Sequence, residues 1–508
     1  MPALDSLRQR LSETADLAHA AAVLEWDQET YMPAGGADGR GRQIATLRRL
    51  AHERFTDPQV GEWLEAATPE TDLDRALLRV TRRDWKRATR LPARLVAEKA
   101  RVSSRALEAW RAAREADRFD LFAPHLDATL ALAREEADLV RPLIAEERGD
   151  AYAPTEADAR YDALLDTYEP GASTGDVAAT FRQLRDGLAP LVAAIAEAEP
   201  IDDSPLRQRF DPDAQWAFGL DVAQALGYSL DHGRQDKAAH PFTTSFGATD
   251  VRITTRVDPD VFSRAFFGTV HEAGHGIYEQ GFAPSLAGTP LADGASLSVH
   301  ESQSRLYENL VCRSEAFWTW AFPLAQARFD ALADVSRDTF VHAINRVEPS
   351  LIRVEADELT YHLHVLLRFE IERALLAGNL AVADLPGAWN EAMRDLLGIT
   401  PPSDADGCLQ DIHWSLGSIG YFPTYTLGTL MSAQLWNAAS RDLGGLDRQL
   451  AVGDFGGLLE WLREHVHRWG RAKSADEILR DTTGGGLDAG PWLAYARGKA
   501  EDLYGVTA

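Results

Sequence analysis

Lysine is almost absent from this chain. Only Lys86, Lys99, Lys237, Lys473 and Lys499 carry an ammonium group among 52 basic residues; the rest are arginine. Positive charge is short overall, with 78 acidic residues against those 52 and a formal charge of -26. Such a surface repels polyphosphate, so nucleic acid and anionic membranes are excluded as expected partners. Cysteine is nearly missing as well. Cys312 and Cys408 cannot frame a chain of 508 residues with disulfides, and both are expected as reduced, buried thiols. No window approaches the ~20 apolar residues that a membrane span needs. The first residues, MPALDSLRQRLSETADL, lack the apolar core of a signal peptide, and a cytoplasmic protein is the simplest expectation.

What is present is ordinary globular composition, 45% hydrophobic and 26% charged, with length enough for one large domain or two to three smaller ones. Helical periodicity dominates. Leu7, Leu11, Leu17, Ala21 and Leu24 mark one face of an opening helix, and residues 75–114 and 121–147 repeat the pattern. Turns are expected at Tyr31–Gly36 and at Glu169–Ser173. The best β segment is FTTSFGATDVRITTRV, residues 242–257, read as a short strand pair with a turn at residues 247–250. Asp250 and Arg252 fall on it, either as an internal ion pair or on an edge strand able to pair with substrate backbone. Asp258-Pro259 then reads as a cap and first turn of a helix running to about Gln280 and stopping at Gly281.

That helix carries His271-Glu272-Ala273-Gly274-His275, an H-E-x-x-H pattern. Two histidines four residues apart project from one helix face and can share a metal ion, while Glu272, one position round, can reach an attacking water without ligating. Two histidines on a solvated helix face are the bland alternative. A catalytic tetrahedron needs a third protein ligand. Glu279 would have to reach back along the same helix, and Gly281 stands where a third histidine of the metzincin pattern would be. The preferred third ligand is Glu301 in His300-Glu301-Ser302-Gln303, which opens another helical stretch. His300 and Glu308 are candidates to support the ligands, although Glu308 reads more readily as an ordinary solvated glutamate.

Ordered blocks spread over most of the chain resemble one family, the carboxypeptidase Taq family of metallocarboxypeptidases. They comprise Trp26-Asp27-Gln28-Glu29-Thr30-Tyr31-Met32-Pro33, Gly35-Gly36, Arg42-Gln43, His240-Pro241-Phe242 and Asp250-Val251-Arg252-Ile253-Thr254, followed by the H-E-x-x-H and HESQ motifs. Further on stand Ile352-Arg353-Val354-Glu355-Ala356-Asp357, Gly407-Cys408-Leu409-Gln410-Asp411-Ile412-His413-Trp414, and Gly420-Tyr421-Phe422-Pro423-Thr424-Tyr425. The resemblance implies His271, His275 and Glu301 as metal ligands and Glu272 as general base. It implies Arg353 on the substrate's terminal carboxylate, His413 and Tyr425 steadying the transition state, and Tyr421 as an alternative cleft residue. It further implies a mostly α, saddle-like fold with a deep groove and a very small sheet. Residues 1–508 would then form a single catalytic domain of two helical lobes, assembled as a homodimer.

The expected reaction is release of C-terminal residues from peptides with a free carboxylate, with broad specificity. Two histidines and a glutamate suit Zn²⁺, one per chain, and Co²⁺ or Mn²⁺ occupy similar sites. Arg353 suits carboxylate recognition because guanidinium donates two parallel hydrogen bonds, although most helical arginines are solvated. Two alternatives stand beside this: a metallo-oligopeptidase cutting inside short peptides, and a non-catalytic helical scaffold that binds peptides. His362 and His364 are expected as partly buried or surface residues without a role. Phe317-Trp318-Thr319-Trp320 is expected as core, and Trp414, Tyr421, Phe422 and Tyr425 as a groove wall.

Overall fold

A computed structural model describes residues 2–507. Helices account for most of them, as the Ala-, Leu-, Arg- and Glu-rich composition favours. The chain forms two compact units, each discontinuous in sequence. The first comprises Met1–Trp85, Ile201–Asn345 and Met431–Leu487; the second comprises Lys86–Pro200, Arg346–Leu430 and Asp488–Ala508.

In the first unit the opening helix spans Ala3–Thr30 and buries Leu7, Leu11, Ala21 and Trp26. The turn expected after it is present, and a helix from Ala37–Phe55 follows. Local chemistry sets the next boundary. Asp57 accepts the Gln59 N–H and Pro58 takes the first position of the helix Pro58–Ala66, where its missing N–H costs nothing. The helical run read over residues 75–114 is two helices, Asp72–Arg90 and Ala93–Ala116, parted at Pro92.

The sheet has three strands, β1 (Gly233–Lys237), β2 (Thr243–Ser245) and β3 (Val251–Thr255), in the order β1-β3-β2. β2 and β3 form the expected antiparallel pair, with Thr243 opposite Ile253 and Ser245 opposite Val251. Asp250 N–H closes their turn on the Gly247 carbonyl at 2.9 Å, and Gly247 takes the φ of +119° that favours glycine. β1 adds to the other side of β3 in parallel, Gly233 to Val251. Its sequence, GRQDK, has no β-branched or aromatic residue and gave no sign of a strand. β3 is therefore central, and β1 and β2 are the edges. Arg252 donates to both oxygens of Asp250 at 2.8 and 2.9 Å beneath Trp26, so the internal ion pair is the arrangement found.

The helix after the sheet spans Phe262–Gln280 and starts later than Asp258-Pro259 suggested. Asp258 accepts the Asp260 N–H at 3.0 Å and pairs with Arg264, stabilising a turn ahead of the helix instead of capping it. The stop at Gly281 is as expected. This helix lies on the sheet: Thr269 Oγ1 donates to Thr255 Oγ1 at 3.0 Å, and Thr243 Oγ1 lies 3.0 Å from the Glu272 carbonyl. Its other face enters an aromatic core. Phe262 stacks on Phe266 at 5.3 Å and meets Phe329 and Phe340 edge-on, while Trp318 lies 4.5 Å from Phe340. Each such buried ring stabilises by about 1.5–3 kcal/mol, which makes the helix a rigid platform. Of the expected core run, Phe317 and Trp318 are fully buried, Trp320 packs half-buried against them and Thr319 is exposed.

The second unit centres on the helix Tyr361–Ala377, most of which is buried. Phe369 receives Tyr161 and Phe181 edge-on at 5.4 and 5.1 Å, joining it to the helices Glu156–Leu165 and Thr174–Ala196. Trp110 Nε1–H caps the Leu409 carbonyl at 2.9 Å, which ties residues 407–414 to the helix Ala93–Ala116. Both cysteines are free and buried, as expected. Among the described residues no helix is long and apolar enough to cross a membrane.

Candidate active site

The helical spacing of the H-E-x-x-H motif does what it promised. His271 and His275 lie one turn apart with ring centroids at 4.8 Å. The third group comes from the helix Leu297–Arg305, whose N-terminus is capped by Ser296 accepting the Val299 N–H. Glycine makes the crossing possible. A Cβ on Gly274 would lie 2.6 Å from Ser304 Cα and 2.8 Å from the Gln303 carbonyl, so only a hydrogen lets the two backbones approach this closely. Glu301 is thereby brought against both histidines, with Oε2 at 3.6 Å from His271 Nε2 and 3.5 Å from His275 Nε2. Ligand distances of about 2.0–2.2 Å place the corners of a tetrahedron about 3.3–3.6 Å apart. The donor set fits a divalent cation, and all three ligand atoms lie within 4.8 Å of one another.

Each ligand is held from behind. His271 Nδ1 bonds Glu308 Oε2 at 2.8 Å, which leaves Nε2 with its lone pair for a cation. His300 Nε2 bonds Glu279 Oε1 at 2.9 Å, and its Nδ1 faces His275 Nδ1 at 2.6 Å. With His300 donating to Glu279, the His275 Nδ1–H is shared between His300 Nδ1 and the His300 carbonyl at 3.1 Å, and His275 Nε2 is again the open nitrogen. Arg305 donates to Glu301 Oε1 at 2.7 Å and to Glu308 Oε2 at 3.1 Å, so Glu301 offers Oε2. Beyond Arg305 the backbone widens into a π-helix over Leu306–Val311, a deviation often found at functional sites. Glu308 is therefore no solvated glutamate. Its side chain is 12% exposed and faces His271, Arg305 and Arg313.

Charge is arranged accordingly. Burial by itself lowers the His271 imidazole, but the charges of Glu301 and Glu308 outweigh it and lift it to about 9. Burial and the neighbouring His300 pull His275 down to about 3 and keep it neutral. Against its own burial, Glu301 is held far below the usual carboxylate range by Arg305 and His271. Glu272 stands outside the ligand set, with Oε2 receiving the Thr243 hydroxyl at 2.6 Å from edge strand β2. Burial raises its carboxyl, partly offset by the His271 charge and the Thr243 hydrogen bond. A carboxylate so raised is closer in affinity to a water proton than a solvated one.

The remaining candidates form a second cluster, in the second unit. Arg353 stands at the start of a 3₁₀ turn, Arg353–Glu355, and is 4% exposed. It is neither solvated nor open. Nε and Nη2 donate to Asp411 Oδ1 at 3.0 and 2.7 Å, and Nη1 donates to the Tyr361 hydroxyl at 2.8 Å. Of the five N–H groups of a guanidinium these use three, leaving one on each terminal nitrogen. Arg368, fully buried, takes Asp411 Oδ2 at 2.6 Å and Gln410 Oε1 at 2.7 Å. Burial pulls Arg368 down to about 10 even with Asp411 beside it. His413 Nε2 meets the Tyr425 hydroxyl at 3.1 Å, and Tyr421 packs against both rings at 5.3 and 5.4 Å. Burial lowers His413 to about 4, with Asp411 opposing and Arg353 and Arg368 reinforcing, so it is neutral near pH 7. Trp414 and Phe422 are buried core residues instead of a groove wall. His362 and His364 are also fully buried, which excludes the surface reading.

Sequence reasoning missed Arg305, Thr243, Asp411 and Arg368. Arg305 had a signal: with Glu301 and Glu308 it follows the i, i+4, i+7 spacing of one helix face. Asp411 and Gln410 lay inside a quoted block without an assigned partner. Thr243 and Arg368 had no local signal.

The comparisons with known proteins agree over the full length. A model of the family described as Carboxypeptidase Taq (M32) metallopeptidase matches residues 6–500. Thermostable carboxypeptidase 1 of Thermus thermophilus is 43% identical over 512 residues, covering 99% of either chain. Carboxypeptidase 1 of Bacillus subtilis is 36% identical over 500 residues, covering 97% of each. The crystal structure of an M32 carboxypeptidase from Deinococcus radiodurans superimposes with a TM-score of 0.95 at 41% identity, covering 100% of both chains.

Proposed function

This chain belongs to the carboxypeptidase Taq (M32) metallopeptidase family, and we propose from that premise how its residues divide the work. It is a metallocarboxypeptidase, a peptide hydrolase that uses a divalent metal. The observation that carries the mechanism is the triangle of His271 Nε2, His275 Nε2 and Glu301 Oε2, with the Glu272 carboxylate beside it and outside the ligand set.

We assign His271, His275 and Glu301 as the ligands and Zn²⁺ as the ion, on the donor types and the tetrahedral spacing. Such an ion supplies Lewis acidity, polarising the scissile carbonyl and making water a nucleophile near neutral pH. Glu272 takes the proton of the attacking water, steadied by the Thr243 hydroxyl on Oε2, and passes it to the leaving amine. Glu308 and His300 keep Nδ1 of the two histidines occupied, so that Nε2 would be the nitrogen holding the ion. Neutral His413 and the Tyr425 hydroxyl are donors for the oxygen on which charge develops, and Tyr421 packs behind them.

Selectivity for a chain end requires a group that recognises the terminal carboxylate. The uncommitted N–H groups of Arg353 suit that task, and Asp411 and Tyr361 hold its plane fixed. The substrates are accordingly peptides with a free C-terminus, taken with broad side-chain specificity by an enzyme working in the cytoplasm as a homodimer. A peptide and its C-terminally amidated twin test this assignment. The free acid should be trimmed residue by residue and the amide spared. Equal cleavage of both would make the enzyme an oligopeptidase and remove the carboxylate role of Arg353. Sedimentation velocity on the purified protein tests the dimer separately.

A further inference from the structure

Glu372, on the helix Tyr361–Ala377, has no exposed surface and no part in the chemistry described above. Three donors converge on its carboxylate. The Trp414 indole N–H reaches Oε1 at 2.9 Å, while the Tyr161 hydroxyl and the Gly420 N–H reach Oε2 at 2.8 and 3.0 Å. Among the described residues no cation bonds to it. Arg368, one turn back, directs its donors to Asp411, Gln410 and the His364 carbonyl. A buried carboxylate served only by neutral donors is costly. Burial accordingly lifts it to about 7, against the hydrogen bonds from Trp414, Tyr161 and Gly420 and the more distant Arg368 charge.

The donors are not scattered. Trp414 directly follows His413, and Gly420 directly precedes Tyr421. One carboxylate thus ties together both ends of the segment that presents these two residues. The Gly420 end cannot shift easily, because its φ is +86° and a Cβ there would lie 2.8 Å from Leu165 N, at the end of the helix that carries Tyr161. Inside the loop, the N–H groups of Leu416 and Ser418 both return to the His413 carbonyl, at 3.1 and 2.9 Å. The His413 ring lies 4.4 Å from Phe422 and keeps its 3.1 Å contact with the Tyr425 hydroxyl.

We propose that Glu372 is a positioning residue which, by fastening Trp414 and Gly420 to one carboxylate, holds His413 in its working place beside Tyr425. The inference rests on the catalytic role of His413 given above. A carboxyl group offers two accepting oxygens to the three donors; an amide has one accepting atom and turns an N–H toward at least one of them. The Glu372→Gln variant must therefore release one end of the loop while preserving the shape of the side chain.

The test is a cycle made in the full-length, metal-loaded enzyme: E372Q, H413A, their combination, and W414F, which removes a single donor. Displacing a catalytic group by an ångström costs up to about 100-fold, so E372Q should lower kcat roughly 10- to 100-fold. KM should stay within about twofold, since the loss is confined to the transition state. W414F should move kcat the same way, and E372Q should cost nothing further in the H413A background. Far-UV circular dichroism and metal content should match the parent throughout. If H413A loses activity while E372Q and W414F keep the parental kcat, the positioning role falls and the catalytic reading stands. If H413A retains the parental kcat, that reading falls and the proposal with it. An E372Q effect that persists undiminished without His413 also overturns the proposal. Should E372Q fail to fold, the W414F and H413A pair completes the same cycle.

Discussion

Replacing Asp411 by asparagine removes one negative charge from between two buried cations. Its carboxylate accepts from Arg353 at 3.0 and 2.7 Å and from Arg368 at 2.6 Å. The three side chains are only 8%, 5% and 0% exposed, so water cannot take over the lost interaction. Guanidinium does not shed its proton near neutral pH, and titration offers no escape either. Removing one partner of a buried ion pair costs about 3–5 kcal/mol. The asparagine side chain would keep one oxygen for one guanidinium but turn an amide N–H toward the other, so the lower end of that range, about 3 kcal/mol, is expected. Against a typical stability of about 5–15 kcal/mol this is a large fraction. Urea unfolding of the parent and D411N, followed by circular dichroism and tryptophan fluorescence, measures the difference. Freed from its anchor, Arg353 should also bind free-acid peptides less well, raising KM. A stability loss under about 1 kcal/mol, the value of an exposed pair, would show that the cluster is wet and refute the argument.

Glu272→Gln should keep its metal and lose about 10²–10⁴ of kcat, as expected when a general base is removed; normal turnover would mean that another group takes the proton. Glu308→Gln leaves all three ligands but weakens the hold on His271 Nδ1, and chelator competition should show metal affinity falling roughly 10- to 100-fold. Gly274→Ala would stabilise an isolated helix by about 1 kcal/mol, yet its Cβ would lie 2.6 Å from Ser304 Cα. A lower melting temperature and weaker metal binding are expected, and a more stable variant would contradict the close helix crossing. The buried imidazoles His413, His364 and His467 are depressed to about 4, 3 and 3 from the ordinary 6.5. Their contribution to stability is present above pH 6.5 and lost as pH falls through those values, about 3 kcal/mol from His413 alone. Unfolding free energy should fall more steeply between pH 6.5 and 4 in the parent than in a His413→Asn variant.

Legibility followed the range of the interactions. The opening helix, the antiparallel pair β2–β3 with its turn at Gly247, and the helix end at Gly281 were readable because neighbours in sequence decide them. The helix start at Asp258 was misplaced because Asp258 accepts the Asp260 N–H and an Arg264 ion pair instead of a cap hydrogen bond. β1 was unreadable since its polar residues become a strand only by pairing with β3 residues 18 positions onward. Two lobes were expected from the resemblance, but the stretches that make up each unit were hidden, three separated ones in either case.

By itself the sequence determined the chemistry available to this protein. Periodicity put His271 and His275 on one helix face with Glu272 beside them, and the ordered blocks carried the family resemblance. Tertiary structure decided how those groups are held. It brought Glu301 to 3.5–3.6 Å from both imidazoles across a contact that only Gly274 permits. It turned Glu308 from a plausible surface charge into the partner of His271, locked Arg353 onto Asp411, and drew Trp414 and Gly420 to Glu372. Residue types and local spacing are written along the chain. The pairing of buried charges is not, because it depends on which distant segments exclude water together.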